Sequence, residues 1–94
     1  MREATVEIYS DATNAAVLRH PNRAFPGVLI QGDTLYTMHV RASLAIQEHA
    51  AGNDAAAIEE LKDLRDHLAE LSRHYKRTLV EHGIQLPYSE DGVA

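Results

Sequence analysis

The sequence predicts a small α+β domain: a three-stranded, mainly antiparallel sheet followed by an antiparallel hairpin of two helices, the second of them long. A short run of strand-forming residues, Val28-Leu29-Ile30, leads directly into a segment that can begin a helix. Two shorter stretches before it have strand character and end in turn signals. From Thr34 onward the apolar residues recur at helical spacing, with one interruption at Gly52-Asn53.

Three strands are expected, near residues 4–9, 15–19 and 28–31. The first alternates apolar and polar residues, so Val6 and Ile8 should face the core while Glu7 and Tyr9 face solvent. A turn is predicted after the second strand at His20-Pro21-Asn22-Arg23, because proline presets the backbone of the second turn position and asparagine tolerates that of the third. This short connection predicts antiparallel pairing of the second and third strands.

The first helix is expected near residues 34–51. Gly32 should supply the unusual dihedral angles of a tight turn before it, and Asp33 or Thr34 should cap it. Its apolar stripe is wide, which suits a helix packed on two sides. Gly52 should end the helix in the left-handed conformation.

The second helix is expected near residues 54–82, with Gly83 as its terminator and Ile84 folding back on Leu79. Its apolar positions alternate in spacing between three and four residues, which is the pattern of a heptad seam. We predict that this seam forms a partner or dimer interface of Leu61, Leu64, Leu68, Leu71 and Tyr75. Packing in the core of a single subunit is the favoured alternative for Tyr75.

The two predicted helices differ in length, which is the basis for predicting a homodimer. At the usual rise per residue the second helix spans about 42 Å and the first about 27 Å. About 15 Å of the longer helix therefore lacks a partner within the hairpin. Either the sheet or a second copy of the chain must cover the leucines of that segment.

Composition narrows the class of protein. The 94 residues suit one small domain, expected over residues 1–88, with an acidic tail over 89–94. The formal net charge of −5 argues against nucleic acid as a partner and favours a basic protein. The chain has no cysteine and no apolar stretch long enough to cross a membrane, so we expect a cytoplasmic protein with no membrane partner.

Six histidines raise the question of a metal site. His67, Glu70 and His74 lie along one side of the predicted second helix, but the two histidines are about 10 Å apart along its axis. Both cannot reach one zinc ion at about 2 Å without strain. We therefore predict that no metal is bound. We also predict no cofactor and no catalytic residue.

Two further groups of residues are candidates for binding or catalysis. Arg19, His20 and Arg23 form a positive cluster at the predicted turn and could contact an anion or a partner. His20 and His39 flank the predicted sheet, with Asp33 near, and could support acid–base catalysis in a small-ligand or metal-dependent enzyme. The alternative for Asp33 is a helix cap, and for His20 a turn residue.

Three stretches resemble an uncharacterised family of short bacterial proteins. They are Asn14-Ala15-Ala16-Val17-Leu18-Arg19, Arg23-Ala24-Phe25-Pro26-Gly27-Val28-Leu29-Ile30-Gln31-Gly32-Asp33-Thr34-Leu35 and Glu81-His82-Gly83-Ile84-Gln85-Leu86-Pro87-Tyr88. The resemblance covers most of the chain. It implies a fold and a bacterial origin, and it transfers no catalytic residue.

A shorter resemblance is to HicB-type antitoxins, whose strand, turn and helix often carry the residues seen here at Pro26-Gly27 and Gly32-Asp33-Thr34-Leu35. It implies an antitoxin-like or immunity-like role. We therefore predict a small, acidic interaction protein that occludes a partner's surface. The alternatives are an enzyme with a site near Asp33 and a regulatory subunit of a larger complex.

Overall fold

A computed structural model describes residues 1–12 and 15–90. Within these residues the chain forms three strands and two helices: β1 (Glu7–Ser10), β2 (Ala15–Arg19), β3 (Gly27–Ile30), α1 (Gly32–Ala50) and α2 (Asp54–Glu81). The strands form one antiparallel sheet in the order β1-β2-β3. The predicted α+β class, with a three-stranded sheet followed by two helices, is confirmed. That the helices pack along their length as an antiparallel hairpin stays a prediction.

The chain divides into two compact units. The sheet unit comprises Met1–Leu29 and Arg73–Ala94, and the helix unit comprises Ile30–Ser72. The helix α2 therefore contributes its first part to the helix unit and its last turns to the sheet unit. Of the predicted acidic tail, residues 91–94 lie outside the described residues, while Glu90 pairs with Lys76 at 2.7 Å.

The first strand differs from its prediction, because β1 begins at Glu7 and contains a β-bulge. Ile8 lies opposite Leu18, but the next partner of β2, Val17, lies opposite Ser10, so Tyr9 is the extra residue. A bulge re-aims side chains. Ile8 is accordingly 60% exposed and Tyr9 packs against the core, so the prediction that Ile8 faces the core and Tyr9 faces solvent is wrong.

The core of the sheet unit forms between the sheet and the last turns of α2. Val17 and Leu79 are fully buried, and Tyr75 is 8% exposed. The Tyr75 hydroxyl donates a hydrogen bond of 2.7 Å to the carbonyl oxygen of Pro26. Partly buried side chains surround this cluster: Tyr9, Val28, Ile84 and Leu86.

Both helices end as predicted, at glycines with positive φ. Gly52 (φ 82°) follows α1 and Gly83 (φ 66°) follows α2. At the second of these ends the amide of Ile84 donates to the carbonyl of Leu79 at 2.9 Å, and that of Gly83 to Val80 at 3.1 Å. This pair of bonds is a Schellman motif, which satisfies the last carbonyls of the helix.

The start of α1 differs from its prediction. The helix begins at Gly32, which does not have positive φ, so the unusual dihedral angles predicted for Gly32 are wrong. The N-cap is Gln31, in extended conformation and without a side-chain cap bond, so the predicted caps Asp33 and Thr34 are also wrong. Asp33 lies in the first turn, where its negative charge favours the helix dipole.

Replacement of Leu79 by alanine should reveal how strongly the sheet unit depends on α2. Because Leu79 is fully buried, Leu79→Ala should lower the free energy of unfolding by about 2–5 kcal/mol. The neighbouring Val80 is 63% exposed, so Val80→Ala should change it by about 0.5 kcal/mol or less. Urea unfolding followed by circular dichroism measures both, and equal midpoints for the two variants would contradict the assigned core.

Candidate interaction surface

The helix unit buries little apolar volume. Its buried side chains are Met38, Ala45 and Ala57, and two of these three are alanines. Alanine burial removes only a small apolar area from water, so this core contributes little free energy. Large apolar side chains of the same unit are exposed instead: Leu35, Tyr36, Leu44, Ile46, Ile58, Leu61 and Leu68.

A groove of about 580 Å³ lies where α1 passes into α2. The three-residue connection, Ala51–Asn53, brings side chains of both helices together there. The buried Ala45 and Ala57 line the groove, and so do the exposed Ile46, Ile58 and Leu61. Small residues beside large exposed ones leave an apolar depression into which another side chain could fit.

The connection itself is held by polar contacts. The backbone amide of Asn53 donates to the carbonyl of Glu48 at 2.8 Å, and its side-chain amide donates to the Glu48 carboxylate at 2.9 Å. His49 Nδ1 lies 2.9 Å from a carboxylate oxygen of Asp54, at the edge of the groove. These contacts fix the ends of the two helices that line the groove.

A second groove, of about 460 Å³, runs along α2 alone. It is lined by Leu61, Leu64 and Leu68 of the predicted seam, with Ala69 and the aliphatic part of Arg65 among their neighbours. Because Leu61 lines both grooves, the two form one continuous surface, which we call the apolar helix face. Leu71, one turn further along the seam, is half-buried.

Tyr75 lies apart from the other seam residues. It belongs to the core of the sheet unit, so core packing, the alternative that the sequence favoured for Tyr75, is what the structure shows. Its heptad position is the same as that of the leucines, but its hydroxyl has a partner in Pro26. The interface proposed below therefore does not include Tyr75.

The formal net charge of the chain lies in the helix unit. Between Ile30 and Ser72 there are eight acidic and three basic residues, a net charge of −5. The sheet unit has six of each, so its net charge is zero. Two of the three basic residues pair with acidic neighbours, Lys62 with Glu59 at 3.7 Å and Arg65 with Asp66 at 3.0 Å, and both are already counted in the net charge.

The predicted positive cluster is divided by the structure. Arg19 is directed to Glu7 on the neighbouring strand, with its Nε donating to a carboxylate oxygen at 2.6 Å. The hydrogen bonds from Arg19 hold the pKa of the Glu7 carboxyl below its ordinary value of 4.5, and the pKa of Arg19 is raised in turn. His20 and Arg23 instead line a separate groove with Phe25.

The metal hypothesis for His67, Glu70 and His74 finds no support in the geometry. No three histidine, aspartate or glutamate side chains converge as metal ligands within residues 1–12 and 15–90. His74 Nε2 lies 3.2 Å from the hydroxyl of Ser10, a contact between α2 and the bulged strand.

Of the residues that the sequence offered for catalysis, Asp33 and His39 line none of the grooves at the helix connection, along α2 and on the sheet, whereas His20 lines the groove on the sheet. The carboxylate of Asp33 accepts from the amide of Thr34 at 2.9 Å. His39 stacks against Tyr36 with ring centroids 6.2 Å apart.

Sequence reasoning did not anticipate the groove at the helix connection. The signal for it was the set of alanines at Ala42, Ala45 and Ala57, which leave room beside Ile46 and Ile58.

Neither helix, within the described part of the chain, is long and apolar enough to span a membrane.

The fold and this surface define the class: a small α+β protein with an uncovered helical face. The chain belongs to a family of unknown function, DUF6959, whose model matches residues 1–88. The predicted membership of an uncharacterised family is thereby confirmed, while bacterial origin and the HicB likeness stay predictions. A comparison with curated proteins and one with solved structures each found no match.

Loss of Arg19 should raise the pKa of Glu7. In the folded chain that pKa is depressed, so the ion pair stabilises the fold above the ordinary value of 4.5 and stops doing so as the pH falls through the depressed value. Arg19→Gln should return the Glu7 pKa towards 4.5. Carboxyl carbon NMR against pH measures this, with Arg23→Gln as the control that leaves it unchanged. The assignment fails if both variants behave alike.

Proposed function

We propose that the chain is a non-enzymatic interaction domain that forms a homodimer through the apolar helix face and covers a basic surface on another protein. The observation that carries the proposal is the imbalance in the helix unit, where mainly alanines are buried and leucines and isoleucines are exposed. Exposed apolar patches of this kind mark interaction sites in soluble proteins.

The apolar helix face has the features of a self-complementary interface. Leu61 and Leu68 lie two turns apart on α2 and are 48% and 47% exposed. Burial of each against a second copy contributes about 0.7–1.5 kcal/mol, half of the value for a full leucine. A two-fold interface uses the same patch twice, so each leucine contributes twice. The nine residues by which α2 exceeds α1 are its last turns, which pack on the sheet, so the proposed dimer rests on the exposed leucines of its earlier turns.

The acidic surplus supports the second part of the proposal. A net charge of −5 on one unit accelerates the approach of a basic protein and favours its binding over that of an acidic one. Occlusion then requires no chemistry from this chain, only a complementary surface. An immunity-like or antitoxin-like role is the version of this proposal that the resemblance to HicB-type antitoxins favours.

Light scattering after size-exclusion chromatography tests the dimer. The native chain should have twice its monomer mass at micromolar concentration, and Leu61→Ser with Leu68→Ser should shift it to the monomer. Ile8→Ser is the matched control, because Ile8 is 60% exposed but lies in the sheet unit. A monomeric native chain, or a control that dissociates equally, would overturn the dimer.

The same measurement over a salt series separates apolar from ionic association. Two copies that each carry −5 repel one another, and salt screens this repulsion. Dimerisation through the apolar helix face should therefore strengthen as sodium chloride is raised. Association that weakens with salt would point to ion pairs instead.

A pull-down from the native host tests the partner. The native chain should recover one stoichiometric basic protein, and Glu59→Gln, Glu60→Gln and Asp63→Asn together should lose most of it. The control carries Glu3→Gln, Glu81→Gln and Asp11→Asn, which removes the same charge from the sheet unit. Retention of the partner by the helix-unit variant would refute the acidic contact. It would not bear on the dimer, which light scattering tests.

A further inference from the structure

The sheet has an outer face that is apolar and uncovered. Val17 of β2 and Val28 of β3 belong to the core, so the next residue of each strand, Leu18 and Leu29, points to the opposite side. Leu29 is 55% exposed. Ile8 of β1, which lies directly opposite Leu18, extends the same face.

A groove of about 470 Å³ opens on this face. Leu18, Phe25 and Leu29 give it apolar walls, and Phe25 is 42% exposed there. His20 and Arg23 line the same groove, and among the described residues no acidic side chain does. Its volume lies within the range of about 300–1,000 Å³ that is usual for small-molecule sites.

The turn between β2 and β3 brings the two basic residues together. The amide of Arg23 donates to the carbonyl of His20 at 3.0 Å, which closes the turn. The amide of Asn22 donates to His20 Nδ1 at 3.3 Å, which leaves Nε2 as the ring nitrogen that can donate. Both residues are exposed.

Arg23 differs from its neighbour Arg19 in having a free charge. Arg19 is neutralised by Glu7. The Arg23 guanidinium makes no hydrogen bond or ion pair with any residue of 1–12 or 15–90. Within the described part of the chain, the groove therefore presents one unpaired guanidinium and one imidazole donor beside an apolar surface.

We propose that this groove binds a small amphipathic carboxylate, such as a medium-chain fatty acid, with its alkyl chain on Leu18, Phe25 and Leu29 and its carboxylate on Arg23 and His20 Nε2. A guanidinium matches a planar carboxylate with two parallel hydrogen bonds. A single positive charge balances a monoanion, whereas a phosphate dianion would remain partly unneutralised. The site is independent of the proposed dimer, since it lies wholly in the sheet unit.

Titration of the full chain with octanoate, followed by amide NMR, tests the site. Octanoate should shift the amides of Leu18, Phe25 and Leu29, and Arg23→Gln should weaken binding about tenfold, the effect of losing a charged hydrogen bond. Arg77→Gln is the matched control, because Arg77 is exposed in the same unit and does not line the groove. Phe25→Ala should also weaken binding. If the Phe25→Ala variant does not fold, Leu29→Ser takes its place.

Two further probes divide the ligand into its parts. Octyl glucoside has the alkyl chain without the carboxylate, and inorganic phosphate has negative charge without the chain, so each should bind at least tenfold more weakly than octanoate. The proposal is overturned if either probe binds as well, if Arg23→Gln and Arg77→Gln behave alike, or if octanoate shifts only helix-unit amides. Unchanged octanoate binding in the Leu61→Ser, Leu68→Ser variant would confirm that the site does not depend on dimerisation.

Discussion

The hydrogen bond from Tyr75 to the carbonyl of Pro26 is the constraint on which the sheet unit depends. It joins residues 49 positions apart, and it lies in a core where burial raises the pKa of the Tyr75 phenol above its ordinary value of 10.0. A three-stranded sheet needs cover on one face to be stable. The last turns of α2 provide that cover, with Leu79 and Tyr75 on Val17. The loop before β3 is held by the same contact.

Because the last turns of α2 pack on the sheet, the two units differ in the size of the α2 side chains that they bury. Its C-terminal turns bury a tyrosine, a leucine and a threonine in the sheet unit, whereas in the helix unit only Ala57 of α2 is buried. One helix thus completes a core with its last turns and leaves two of the four leucines of its earlier turns, Leu61 and Leu68, exposed to water. An exposed apolar face of this kind is the observation on which the proposed binding role rests.

Much of the fold could be predicted from the sequence because the residues that end its helices and form its turns act locally. The glycines after both helices and the turn at His20 act through their own dihedral angles, and all were predicted correctly. The phase of β1 could not be predicted, because Tyr9 turns inward through a bulge that only pairing with β2 reveals. Heptad spacing found the leucines of the apolar helix face, but spacing alone could not separate them from Tyr75. That distinction depends on a carbonyl far away in the chain.

The location of the net charge in the helix unit also determines colloidal behaviour. At neutral pH the surplus carboxylates make the proposed dimers repel one another. Close to the isoelectric point, about 5.6, this repulsion disappears while apolar side chains outside the proposed interface, such as Ile8 and Leu29, remain exposed. Acidification would then lead to precipitation of protein whose sheet and core are still intact. The protein should therefore be kept at a pH well above its isoelectric point, where these carboxylates are charged.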